Sequence, residues 1–265
     1  MATLVSFHAH PDDESIASGG TLAKAAAQGH RTVLVFGTRG EQGEVAEGFL
    51  DPGEALWERR VAEVHRSAGI LGVQRVEFLG YEDSGMMGTP ENDRPESFWQ
   101  ADVEEAAGRL AAILRQEDAQ VLTIYDSDGG YGHPDHLQVH RVGQRAAELA
   151  GTQRVFEGTM NRDHLRRVID AAVKAGAIPA ESMPDVREDS TFGRPESVIT
   201  TTVEVTHYLE AKRASMRAHA SQIREDSFFL QMSDDAFAAA FGMEWFIRQG
   251  VPSDHRDDDL FAGLD

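Results

Sequence analysis

Two short stretches hold most of the reactive side chains of this chain: FHAHPDDE at residues 7–14 and GHPDH at residues 132–136. Each contains a His-Pro-Asp tripeptide, at His10-Pro11-Asp12 and at His133-Pro134-Asp135. Imidazoles and carboxylates packed this densely either face solvent or hold something positive, because an unpartnered buried carboxylate is costly. His10 and Asp13, three residues apart on a tight turn, can grip one ion together, and a third ligand from a distant loop can close the site. A catalytic zinc site takes three protein ligands and leaves one position for water. Proline fixes φ in each turn and helps hold the ligands in place.

A plainer account exists for either stretch alone: Asp12 or Asp13 could cap a following helix. Two such turns in one chain without cysteine favour a metal. The lack of Cys also excludes disulfides, zinc–thiolate sites, iron–sulfur clusters and a Cys nucleophile. Two imidazoles favour zinc, or iron(II) in a reducing cell, over magnesium or manganese with their oxygen-rich shells.

The elements that position these turns read as alternating strands and helices. Strands are expected at 3–8, 31–36, 75–79 and 121–125, and helices at 15–28, 54–71, 96–115 and 137–149. That alternation indicates parallel βαβ units with helices on both faces. In such sheets ligands bind beyond the carboxyl ends of the strands. Segments 8–14, 37–48, 80–88 and 126–136 each follow a strand, so they should converge on one rim. After Gly151 the pattern loosens. Strands are expected at 154–158, 198–205 and 242–249, and helices at 162–175, 207–220 and 234–241. Residues 176–197 read as a polar flap or loop, and the chain ends in an acidic tail. The expected fold is a Rossmann-like three-layer α/β sandwich with a mostly parallel sheet. It forms one domain, with residues 1–150 as the catalytic core and 151–265 as an appended, substrate-side C-terminal lobe.

The 265 residues are 41% hydrophobic and carry a net charge of −20. That balance argues against nucleic acid or an anionic membrane as partner. No apolar run approaches the ~20 residues of a membrane span, and no signal-peptide pattern opens the chain. A cytoplasmic protein acting on a small molecule is the expectation, with homo-oligomerisation left open.

AHPDDE after the first strand and GHPDH after a later one resemble the LmbE/PIG-L family of zinc-dependent N-deacetylases. TRGEQGE resembles the family's loop after the second strand, and RRVAEV, YEDSGMMGT and KRASMRAHASQ are most similar to its mycothiol-related branch of deacetylases and conjugate amidases. The resemblance implies one divalent ion, zinc or iron(II), held by His10, Asp13 and His136, with Asp12 as general base. It implies that a protonated His133 stabilises the oxyanion, that Asp135 holds the His133 ring, and that Tyr131 supports the oxyanion. It further implies Arg60 and Asp83 as substrate-binding residues, with Glu41 and Glu44 lining the pocket. Each has a plainer account, as surface charge, turn former or packing residue. His8 is expected to be buried and hydrogen-bonded, and His219 and Gln222 to return toward the site. Phe228, Phe229, Trp245 and Phe246 are expected in the core.

The implied substrate is an N-acetylglucosamine-type glycoconjugate. Cleavage of a mycothiol-like S-conjugate or of a phosphoester are the alternatives. A two-metal phosphoesterase needs bridging carboxylates, and only one ligand set is evident. A nucleotide-binding module would need glycines to cradle phosphate, as in GxGxxG, where this chain places anions.

Overall fold

The computed structural model describes residues 1–174 and 192–264. The expected loop at 176–197 therefore lies, over 176–191, outside the described residues. Seven strands form one sheet: β1 (Thr3–His8), β2 (Arg31–Phe36), β3 (Arg75–Phe78), β4 (Val121–Tyr125), β5 (Arg154–Thr159), β6 (Thr201–Glu204) and β7 (Met243–Arg248). Their order is β3-β2-β1-β4-β5-β7-β6. The pairs among β3, β2, β1, β4 and β5 are parallel, and β7 runs antiparallel to β5 and β6. The sheet is thus mostly parallel, as expected. The residues after Gly151 add β5, β6 and β7 to this same sheet.

Alternate side chains along β1, β2 and β4 enter opposite cores, the behaviour of strands covered on both faces. Val5, Phe7, Val33, Val35, Leu122 and Ile124 face one layer. That layer contains α4 (Val103–Gln116) and α6 (Pro134–Ala150), through residues such as Leu110 and Val142. Leu4, Leu34, Phe36 and Val121 face the other. It contains α2 (Gly19–Ala27) and α3 (Leu56–Leu71), through residues such as Leu22 and Val64. Outside the second layer, α8 (Leu209–Ala218) packs on α3 and α2.

Several boundaries differ from expectation for identifiable reasons. The helix expected over 15–28 is two helices, α1 (Asp13–Ala17) and α2, broken at Ser18 with φ −142°. The break frees backbone donors at the start of α2, and Glu244 accepts from Gly20 N at 2.9 Å and Thr21 N at 2.7 Å. Buried Lys212 pairs with that carboxylate at 2.5 Å. At Gly20 a Cβ would lie 2.5 Å from Val205 Cβ, so the close approach there requires glycine. Helix α4 starts at Val103, not at 96, because Asp102 Oδ1 caps Glu105 N at 2.9 Å. Helix α6 starts at Pro134, with His133 as its N-cap.

The acidic tail is not solvated throughout. Leu260 and Phe261 are buried, and Phe261 stacks on His30 with ring centroids 3.7 Å apart. Phe246 is buried as expected, whereas Phe228 is exposed. It sits in a short helix, α9 (Phe228–Gln231), whose Leu230 faces the core instead. No helix among the described residues is long and apolar enough to cross a membrane.

Candidate active site

Strands β1 and β4 are neighbours, and the connections leave them in opposite directions, to β2 and to β5. This is the switch point of the sheet, where a crevice opens beyond the strand ends. FHAHPDDE leaves the end of β1 and the GHPDH loop follows β4, so topology brings the two stretches together. His8, fully paired, closes the floor: Nδ1 is 3.0 Å from Tyr125 Oη and Nε2 is 2.8 Å from Ser6 Oγ.

The first turn closes on itself, with His10 N donating to Asp13 Oδ2 at 2.9 Å. His10 Nδ1 lies 3.5 Å from Asp13 Oδ2, and His136 Nε2 lies 3.5 Å from Asp13 Oδ1. One ligand atom from each of His10, Asp13 and His136 falls within 4.8 Å of the others. His136 Nδ1 donates to the Gly129 carbonyl at 3.1 Å, leaving Nε2 as the lone pair. That Nε2 is buried and has no hydrogen-bond partner. His10 Nε2 donates to Asp135 Oδ2 at 3.1 Å, which leaves Nδ1 facing Asp13. Metal-binding imidazoles are typically held in this way through the other nitrogen. The donor set therefore fits a divalent ion. A second set, His10, Asp83 and His133, meets the same distance limit, but it would need the His10 nitrogen already facing Asp135.

Burial pushes Asp13 up, but His136 and His10 outweigh it and hold the carboxyl well below its usual range. Burial lowers His10, and Asp83, Asp13 and Asp135 together reverse this and raise it well above the usual value. Asp12 stands at the edge of the ligand turn. Burial pushes its carboxyl up to about 6, against the opposing pull of Arg60. Its backbone is at φ 120°, ψ −30°, a region that costs a non-glycine residue roughly 1–3 kcal/mol. It makes no side-chain cap for α1, so the capping account of this turn fails.

The structure corrects one assignment. Asp135 does not hold the His133 ring through its carboxylate. That carboxylate accepts from His10 Nε2, from Ser84 N at 3.0 Å and from Ser84 Oγ. Instead the backbone Asp135 N donates to His133 Nδ1 at 3.1 Å. An Nδ1 that accepts cannot carry a proton, so the proton of His133 sits on Nε2 and the ring is neutral. Burial, then His10 and His136, push its pKa down to about 4. Arg60 lies against the same turn as Asp12. It is buried and donates to Gly40 O at 2.8 Å, Pro11 O at 2.6 Å and Asp12 Oδ1 at 3.1 Å. Its guanidinium holds the Asp12 turn.

The remaining candidates spread from the cluster outward. Asp83 is buried, its Oδ1 3.5 Å from His10 Nε2. Glu41 Oε2 accepts from Asp83 N at 3.1 Å, and its Oε1 from Arg39 Nε at 2.9 Å. Tyr131 is exposed at the rim, its ring 4.9 Å from that of His136. Glu44 is exposed and meets Gln222 Nε2 through its carbonyl at 3.3 Å.

Sequence reading missed Glu14, Ser67 and Ser84. Glu14 is fully buried and receives Ser67 Oγ at 2.6 Å, with His219 Nε2 at 2.6 Å. Burial pushes Glu14 up, but His219 and then Ser67 hold it down at about 2. The one available signal was the Glu of HPDDE, next to the His10–Asp13 turn yet outside the implied ligand set.

The mostly parallel sheet thus carries a His/Asp/His cluster, able to hold a metal ion, at its switch point. The family model of the PIG-L GlcNAc-PI de-N-acetylases matches residues 5–147, and the chain belongs to that family. A 1D-myo-inositol 2-acetamido-2-deoxy-alpha-D-glucopyranoside deacetylase from Acidothermus cellulolyticus is 41% identical over 100% of this chain and 96% of its own length. One from Streptomyces griseus is 42% identical over 98% and 88%. Among solved structures, the N,N'-diacetylchitobiose deacetylase of Pyrococcus horikoshii shares the fold. Its TM-score is 0.59 at 22% identity, covering 99% of this chain and 86% of that one.

Proposed function

We propose that the chain is a metal-dependent hydrolase that removes the acetyl group from the nitrogen of an N-acetylglucosamine-type glycoconjugate. The substrate is 1D-myo-inositol 2-acetamido-2-deoxy-α-D-glucopyranoside or a near relative of it. One observation carries the reading: the buried, unpartnered Nε2 of His136, grouped with Asp13 and His10. Relatives 41% and 42% identical that bear the name of that deacetylase support it.

His10, Asp13 and His136 would hold the ion, and a mixed imidazole–carboxylate set of three suits zinc. The chemistry such an ion supplies is Lewis acidity, which acidifies water and polarises an amide carbonyl. The protein's own groups do the rest. Asp12 accepts a proton from the attacking water, a role worth roughly 10²–10⁴-fold. The water oxygen bonds to the acetyl carbon, and His133 donates from Nε2–H to the carbonyl oxygen as that oxygen gains charge. Asp12 returns the proton to nitrogen, the C–N bond breaks, and acetate and a free amine leave. Tyr131 at the rim is a second donor to the oxyanion. Asp83, held by Glu41 and Gln42 N, binds sugar hydroxyls. Residues 151–265 supply the substrate side of a single domain.

The test is a screen of metal-loaded protein against this glycoside and a panel of N-acyl glucosaminides. Equal release of acetate and primary amine is expected. No amine from any member of the panel overturns the reading, and preferential cleavage of an S-conjugated glycoside would move the substrate to the amidase branch.

A further inference from the structure

We propose that Glu14 and His219 form a clamp that fixes the Pro11–Asp12 peptide, and so aims the Asp12 carboxylate. Both are then positioning residues for the reaction, an inference that rests on Asp12 being the general base. The peptide between Pro11 and Asp12 is gripped at both ends. Its carbonyl accepts from Arg60 Nη2 at 2.6 Å, and its N–H donates to Glu14 Oε2 at 2.9 Å. That plane sets φ of Asp12 at 120°, a value the residue would not keep unsupported.

Glu14 cannot move, because three elements hold its other oxygen. Ser15 Oγ donates to Oε1 at 3.0 Å from α1, and Ser67 Oγ at 2.6 Å from α3. His219 Nε2 approaches it to 2.6 Å from the residue that ends α8. Glu14 and His219 are both completely buried. His219 Nδ1 is buried without a hydrogen-bond partner, so the ring's side-chain hydrogen bonding goes to Glu14 alone. A histidine kept only to anchor α8 would gain from a partner on each nitrogen. The clamp thus ties the C-terminal HASQ segment to the geometry of the base, a link that neither motif displays by itself.

The test uses the zinc-loaded chain and the inositol glycoside named above. It compares His219→Ala, His219→Gln, Ser67→Ala and Asp12→Asn for kcat, KM, metal content and thermal midpoint, with crystal structures of the folded variants. Misplacement by about 1 Å can cost on the order of 10²-fold in rate. His219→Ala should therefore lose about tenfold to a hundredfold in kcat, with KM little changed and the ion retained. Its Asp12 φ should leave 120°. His219→Gln, which keeps an N–H toward Glu14, should recover most of the rate. A folded His219→Ala with the parent kcat, or one that loses rate while Asp12 keeps its φ, overturns the clamp. If His219→Ala does not fold, Ser67→Ala decides by the same two readouts. An active Asp12→Asn would instead sink the general-base reading, while φ of Asp12 in His219→Ala still reports on the clamp.

Discussion

Asp135 Oδ2 sits 3.1 Å from His10 Nε2, so a residue of the second His-Pro-Asp turn orients an imidazole of the first. Ser84 N and Oγ hold the same carboxylate. The two turns are therefore one unit, in which Asp135 fixes the His10 tautomer that presents Nδ1 toward Asp13. Outer-shell partners of this kind are worth about 10–100-fold in metal affinity.

Asp135→Ala should accordingly weaken zinc binding by about 10–100-fold in a chelator competition. His133 keeps its backbone donor in that variant, because the donor is the residue 135 N–H. Undiminished zinc affinity in Asp135→Ala would show that His10 is oriented by something else.

Arg60 gives a second contrast between roles. A substrate-binding arginine, once removed, raises KM with kcat unchanged. An arginine that holds Pro11 O and Asp12 Oδ1 should act on kcat. Arg60→Ala is expected to lower kcat by about tenfold or more, since small misplacements of a reacting group are costly, with a lesser effect on KM. Steady-state kinetics decide it, and a pure KM effect returns Arg60 to the substrate.

Much of this site was legible in the sequence because its signals are local. The strand–turn–helix pattern placed His10, Asp13 and His136 on one rim, where the structure has them, and the family resemblance singled out these three as candidate ligands. What was not legible depends on contacts between distant segments. Glu14 acquires its role from His219, 205 residues away, and α2 starts afresh at Gly19 because Glu244, distant in sequence, accepts from its first turn. The roles of Arg60 and Asp135 depend on which carbonyl or imidazole lies within reach, and residue type alone cannot reveal that. Leu260 and Phe261 escaped notice because the acidic residues around them suggest a solvated tail.

Away from the site, Glu117 ties two strand starts together, with 2.5 Å contacts to Arg31 Nε and Arg75 Nη1. Its hydrogen bond from Arg31, helped by Arg75 and opposed by burial, holds its pKa below the usual glutamate value of 4.5. A carboxylate with a depressed folded pKa stabilises the fold above its unfolded pKa, and that stabilisation disappears as pH falls through the folded value. Glu117→Gln should thus lose stability near neutral pH, on the order of 1 kcal/mol or less because the Arg31 side chain is 42% exposed. The deficit should vanish in acid. Urea midpoints measured across that range check it, and a deficit independent of pH would mean that packing, not charge, is responsible.

Metal removal tests the centre directly. A ligand that binds only the folded state stabilises it by mass action, about 2.7 kcal/mol at a hundredfold excess over Kd. Chelated protein should therefore lose turnover and melt at a lower temperature, and added zinc should restore both, with one ion per chain. Variants separate ligand from base. Asp13→Asn should abolish the zinc-induced rise in melting temperature, because it removes the carboxylate facing both His10 and His136. Asp12→Asn should keep that rise while losing most of the turnover. The alternative cluster of His10, Asp83 and His133 makes the opposite prediction: the rise survives in Asp13→Asn and disappears in Asp83→Asn. That result, or two tightly bound ions per chain, would move the ion to the other side of His10 and take Asp12 out of reach of the water it is proposed to deprotonate.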